Sequence, residues 1–240
     1  MPTQSFEYRD REANLVGFLA YDGATSARRP GIVLMPEIWG LGDHARERAQ
    51  RLAELGYAVL AADPYGNGAR FDSIDEAMKL ARGLRASADR MRSRIRAALE
   101  ALAGHPAVDP ARLAAMGYCM GGSFALELAR SGAPVQAVAT FHANLATLRP
   151  AQPGVVRAKM LVCTGADDTH VSWEQIRTFA DEMRAAGADY TINIYSGAKH
   201  GFTVPDADRR GLPGLAYNAT ADARSWQALI GFLDETFGGQ

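Results

Sequence analysis

Cysteine is scarce in this 240-residue sequence: Cys119 and Cys163 are the only two. Both lie in strand-like runs, which excludes a disulfide-stapled scaffold and suits a reducing compartment. An excess of charge of one sign is missing too. The 26 Lys and Arg nearly balance 27 Asp and Glu, giving a formal net charge of −1, and basic residues are interspersed with acidic ones. That leaves no electrostatic footprint for nucleic acid and points to a small, neutral or weakly charged partner. No segment approaches the roughly 20 apolar residues that would cross a bilayer, and the opening MPTQSFEYRD lacks a signal peptide's apolar core. The expectation is a cytoplasmic protein with no membrane partner, monomeric or homodimeric. The five histidines, His44, His105, His142, His170 and His200, form no close ligand spacing with cysteines or carboxylates, so no metal and no cofactor is expected. Linkers, repeats and low-complexity tracts are absent as well. With 48% hydrophobic residues, the chain reads as one domain with a full core.

What is present is a regular alternation of strand and helix patterns. Residues 6–8 and 14–21 alternate apolar and polar positions like an antiparallel edge pair. Continuous apolar runs at 32–35, 57–62, 135–141 and 159–164, and a further strand at 190–195, suit a sheet covered on both faces. Between them lie helical patterns: 43–55, with Asp43 as N-cap and Gly56 closing it; 75–103, two helices meeting near Ser87; 173–186; and a last helix over about 218–237. Strands separated by helices predict an α/β fold with a mostly parallel sheet flanked by helices. The stretch 205–214 reads as a loop on the active-site side.

The stretch that organises the rest is Gly117-Tyr118-Cys119-Met120-Gly121-Gly122, after an apolar run from Leu113 and before a helix-like segment from Ser123. In a nucleophile elbow the reactive residue sits on a strained turn, and small residues two places either side let strand and helix backbones pass closely. Cys119 then stands at a helix N-terminus, where backbone N–H groups and the macrodipole favour the thiolate. The N–H of Met120 would face the oxygen of an attacked carbonyl. Taken alone, Cys119 is equally well a buried apolar cysteine beside a glycine turn; Cys163, inside Met160-Leu161-Val162-Cys163, reads as that kind of core residue. What decides is whether partners occur at other strand ends, where sites of parallel sheets lie. Three do: Gly165-Ala166-Asp167-Asp168, Lys199-His200-Gly201-Phe202, and Glu37 after Met35. The order nucleophile, acid, histidine is that of the α/β-hydrolases. In such a set His200 would take the thiol proton and later activate water, and an aspartate would fix its tautomer. The other histidines read as supporting residues: His142 as a pocket wall, and His44, His105 and His170 as surface or capping residues.

From Pro36-Glu37-Ile38-Trp39-Gly40 through the elbow to Lys199-His200-Gly201-Phe202, the chain resembles the dienelactone hydrolase family of α/β-hydrolases. The resemblance implies a triad of Cys119, His200 and Asp168. Asp168 is preferred to Asp167 because the family's acid is followed three residues later by an apolar residue, here Val171. It also implies that the N–H of Ile38 joins that of Met120 in the oxyanion hole, and that Glu37 holds the resting thiol and releases it when substrate enters.

One departure stands out. Where the family carries an arginine four residues after the catalytic histidine to bind a substrate carboxylate, this chain has Val204. Arg82, Arg85, Arg90, Arg92, Arg94 and Arg96 follow in the helical region, mostly readable as a solvated surface. Trp39, Tyr65, Tyr118 and Phe202, with His142 and Val204, suggest an apolar pocket for uncharged or aromatic groups. The sequence therefore reads as a cysteine hydrolase of small-molecule activated carboxylic esters or lactones, acting through a thioester. Two rivals stay open: hydrolysis of activated phosphotriesters by the same triad, and a catalytically silent hydrolase-fold protein that binds a small molecule. The intact set of Glu37, Cys119, Asp168 and His200 speaks against silence.

Overall fold

The apolar runs become strands of a single sheet in the computed structural model, which describes residues 3–24 and 27–238. The strands are β1 (Thr3–Asp10), β2 (Ala13–Ala20), β3 (Arg29–Met35), β4 (Ala58–Ala61), β5 (Val108–Tyr118), β6 (Ala137–Phe141), β7 (Lys159–Gly165) and β8 (Tyr190–Tyr195). They lie in the order β1-β2-β4-β3-β5-β6-β7-β8. β2 pairs antiparallel with β1 and β4, and every other neighbouring pair is parallel. Parallel strands need crossovers, and the helices supply them: α1 (Asp43–Glu54), α2 (Ile74–Arg85), α3 (Ala88–Ala103), α4 (Met120–Arg130), α5 (Trp173–Ala186) and α6 (Ala219–Phe237). No helix among the described residues is long and apolar enough to cross a membrane.

Because successive strand residues face opposite sides, the sheet divides its apolar residues between two cores. Val33 and Met35 of β3 belong with Ile95, Leu99 and Phe124 of α3 and α4, while Ile32 and Leu34 belong with Ala49, Leu52 and Leu229 of α1 and α6. All seven residues of β3 are buried, as a strand covered on both faces requires.

The ends of the helices follow local chemistry with one change from expectation. The N-cap of α1 is Gly42, not Asp43; Asp43 is the first helical residue, where its carboxylate still faces the positive end of the dipole. Gly56, at φ 92°, follows the C-cap and turns the chain into β4. Ser87 separates α2 from α3 and accepts the Arg90 N–H. Two arginines expected on a solvated face are instead structural. Arg94 is buried against Asp10 at 3.0 Å, and Arg92 meets Glu127 at 2.9 Å, so each guanidinium finds a carboxylate where the helices pack.

Candidate active site

The turn at Cys119 departs from ordinary backbone. Its φ is 51° and ψ −117°, a conformation that L-residues rarely adopt. A Cβ on Gly117 would stand 2.2 Å from the Gly121 carbonyl group, and one on Gly121 only 2.0 Å from the carbonyl oxygen of Met35. The two glycines therefore let β5, α4 and the end of β3 converge, and Cys119 N–H donates to Phe141 O at 2.9 Å to hold the turn against β6.

The sulfur lies 3.1 Å from His200 Nε2, and His200 Nδ1 lies 2.9 Å from Asp168 Oδ2. Asp168 Oδ1 accepts the N–H of His170 at 2.8 Å, which fixes the carboxylate. Asp167 is exposed. Cys119, Asp168 and His200 come from the ends of β5, β7 and β8, so the parallel sheet joins residues 81 and 32 positions apart. Burial disfavours the imidazolium, but the sulfur of Cys119 and the Asp168 carboxylate outweigh it and push the His200 pKa up to about 10. This environment favours a proton on the ring.

Ile38 and Met120 line the same cavity as Cys119, and neither N–H donates to a protein acceptor among the described residues. Tyr65 O–H donates to Ile38 O at 2.7 Å and touches Met120 Sδ at 3.6 Å. Tyr65 thus braces these two residues from behind and does not line the cavity, contrary to the sequence expectation. Tyr118 and Phe202 also leave the expected pocket. Both are essentially buried in the core beneath α1 and α6; Tyr118 shares that face with Met116 because strand residues alternate. Trp39, His142 and Val204 do line the cavity, whose volume is about 340 Å³. His142 is buried, and its Nε2 lies 2.9 Å from Thr203 Oγ1. Burial, then the neighbouring His200, keep it well below the usual histidine pKa.

Glu37 does not hold the thiol here. Its Oε1 sits 2.5 Å from His44 Nδ1, a buried ion-pair contact. Burial alone would raise its carboxyl pKa, yet the His44 ring, with Arg210 beyond, keeps it below the usual value. His44 is therefore not a surface residue, and His170 is not merely one: it lines the cavity with its ring 4.7 Å from that of His200. Two cavity-lining arginines complete the site. Arg85 ends α2, and Arg210 ends a 3₁₀ turn (Ala207–Arg210), pairing with Asp206 at 3.0 Å and lying over Trp39. Arg85 is one of the six arginines that the sequence offers in the helical region; Arg210 lies in the expected active-site loop, but nothing in its local pattern marks its direction.

The profile of the dienelactone hydrolase family matches residues 17–237. The chain belongs to this family. A dienelactone hydrolase-like promiscuous phosphotriesterase from metagenomic libraries, known by its crystal structure, is 41% identical, with a TM-score of 0.94 over 98% of both chains. A second solved structure, m3DLH, is 44% identical with a TM-score of 0.93, again over 98% of both. A Bradyrhizobium protein described as a probable 2-oxo-3-(5-oxofuran-2-ylidene)propanoate lactonase is 26% identical over 87% of this chain and 84% of its own. This dienelactone hydrolase relative is a hydrolase of the α/β type.

Proposed function

We propose that the chain hydrolyses activated carboxylic esters and lactones with Cys119 as nucleophile. The observation that carries the proposal is the contact of Cys119 Sγ with His200 Nε2, backed by Asp168 and placed in the cavity wall. The thiolate attacks the carbonyl carbon, and the oxygen takes up negative charge facing the N–H groups of Ile38 and Met120. The carbon–oxygen bond to the leaving group breaks as His200 gives that oxygen its proton, leaving a thioester. His200 then takes a proton from water, the resulting hydroxide adds to the thioester, and the carbon–sulfur bond breaks to release the acid and restore the thiolate. Asp168 keeps the ring oriented and stabilises its charged form.

Val204 and the apolar wall favour neutral acyl groups. Arg210 is already engaged by Asp206 and Trp39, so Arg85, with no side-chain partner among the described residues, is the cation free to meet a carboxylate. A panel of p-nitrophenyl esters and lactones with Cys119→Ala as control tests the nucleophile; hydrolysis that persists in that variant would falsify the assignment. A second reading is favoured by the 41% identical relative described as a promiscuous phosphotriesterase. The same sulfur would attack phosphorus, with charge developing on the phosphoryl oxygen at the same N–H groups. Aryl phosphotriester cleavage followed past one equivalent of product separates turnover from a single inhibiting event.

A further inference from the structure

A chain of buried polar side chains leads from the cavity wall into the layer beneath α1 and α6. After the 2.5 Å contact of Glu37 Oε1 with His44 Nδ1, Arg48 Nε donates to His44 Nε2 at 3.1 Å. Arg48 Nη2 then donates to both Asp222 oxygens at 2.8 Å and to Thr203 O at 2.9 Å. Tyr217 O–H closes the far end on Asp222 Oδ2 at 3.2 Å. Glu37, Arg48 and Asp222 are each under 10% exposed, and the His44 side chain is 9% exposed. The hydrolysis steps use none of His44, Arg48 or Asp222.

The order of donors fixes the middle of this chain. Arginine only donates, so His44 Nε2 must offer a lone pair to Arg48, and the ring proton stands on Nδ1, turned to Glu37. Asp222 neutralises Arg48 and holds its Nη2, so the guanidinium keeps Nε turned to the ring. Left alone, a buried carboxylate at position 37 would seek the nearest donors. Besides Arg210, already engaged by Asp206, this cavity offers it the thiol of Cys119 and the N–H groups of Ile38 and Met120, the groups a substrate carbonyl needs.

We infer that His44, oriented by Arg48 and Asp222, is a positioning residue that keeps the Glu37 carboxylate off Cys119 and so leaves the sulfur to His200. The inference rests on the proposed role of Cys119 as nucleophile. The Arg48 bond to Thr203 O, three residues beyond His200, ties the loop bearing the base to α1, the helix that carries His44. The groups facing His44 and Glu37 are few. The Tyr118 ring stands edge-on to His44 at 4.7 Å, His142 and Arg48 lie near His44, and Arg210 and Cys119 share the cavity side of Glu37.

Alkylation of Cys119 by iodoacetamide, read on the Cys119 peptide by mass spectrometry across pH 5 to 9, tests this without relying on turnover. His44→Ala should slow alkylation at pH 7 by about tenfold and displace the profile to higher pH, because a released carboxylate opposes negative charge on the sulfur. His44→Asn keeps an N–H near the place of Nδ1 and should retain the native profile. The double variant Glu37→Gln with His44→Ala should return to the rate of Glu37→Gln alone. His44→Phe, which keeps a ring against Tyr118 but has no donor, replaces His44→Ala if that variant does not fold. An unchanged rate in the donor-less variants overturns the inference, and so does a double variant as slow as His44→Ala, which would mean that His44 acts through packing. Hydrolysis surviving in Cys119→Ala would remove the nucleophile assignment and leave the alkylation result standing.

Discussion

One cysteine lies in β7 and the other just past the end of β5, with only β6 between those strands, yet they occupy opposite chemical circumstances. Cys163 lies inside β7, fully buried, 3.6 Å from Tyr195 Oη, and burial pushes its thiol up to about 12. Cys119 lies one residue beyond β5, half-buried in a cavity wall, at the N-terminus of α4 and beside an imidazole. The same side chain is a packing element within the strand and a candidate nucleophile just past its end. The proposed reactivity rests on place: a helix N-terminus, a partner base and access to solvent, all of which the strand interior denies.

The sharpest way to break this contrast is to exchange the two roles. Cys119→Ala should lower kcat/KM for p-nitrophenyl esters by about 10⁵-fold or more, and His200→Ala by nearly as much, whereas Cys163→Ala should keep native kinetics. Comparable losses at both cysteines would erase the distinction. Asp168→Asn should cost about 10⁴-fold through the wrong tautomer of His200, against no measurable change for the exposed Asp167→Asn; steady-state kinetics of the pair decide which carboxylate orients the ring.

A titration sharpens the same comparison. The His200 ring, followed by NMR, should titrate near 10 in the native protein and distinctly lower in Cys119→Ala, which loses the sulfur's charge but keeps Asp168. The sign for stability follows: a folded-state pKa raised above the ordinary 6.5 contributes stability that is complete below about 6.5 and is lost as the pH rises through about 10. A titration unaffected by removal of the sulfur would mean that the two groups are not coupled. A smaller effect concerns substrate charge. Val204→Arg should shift preference towards carboxylate-bearing lactones by about tenfold, the weight of one charge-assisted hydrogen bond, and Arg85→Ala should weaken whatever preference for them the native enzyme has. Smallest of all, Cys163→Ala should cost about 1 kcal/mol of stability for the lost buried sulfur, measured by urea denaturation.

Much of this was readable from the chain itself. Apolar runs and helical periods place the strands, and Gly117 and Gly121 flank Cys119 at the spacing that close backbone approach demands. Aspartate and histidine just past β7 and β8 lie where parallel strands deliver their carboxyl ends. The failures have a common physical origin. Tyr118 is expected in the pocket because it adjoins Cys119 in sequence, whereas neighbours on an extended backbone point to opposite sides; Phe202, two residues beyond His200, lies in a turn that carries its ring into the core. His44 reads from sequence as a surface residue because its partners include Arg48, whose own anchor, Asp222, is 174 residues away. Arg210 points over Trp39 from a turn that local patterning does not reveal. Local chemistry was legible; the direction of a side chain and its distant partner were not.

The left-handed backbone at Cys119 also limits what mutation can explore. At φ 51° a β-branched side chain is a steric outlier, so threonine and valine are closed to this position, while serine shares cysteine's unbranched Cβ. Serine lies a single nucleotide change from cysteine in the genetic code. Under the proposed mechanism, a lineage can therefore exchange a thioester-forming enzyme for an ester-forming one in one step without disturbing the turn. Gly117 and Gly121 have no such neighbour, because even the smallest added methyl group would run into backbone. In evolutionary terms the proposed reacting atom is negotiable, and the hydrogens that make room for it are not.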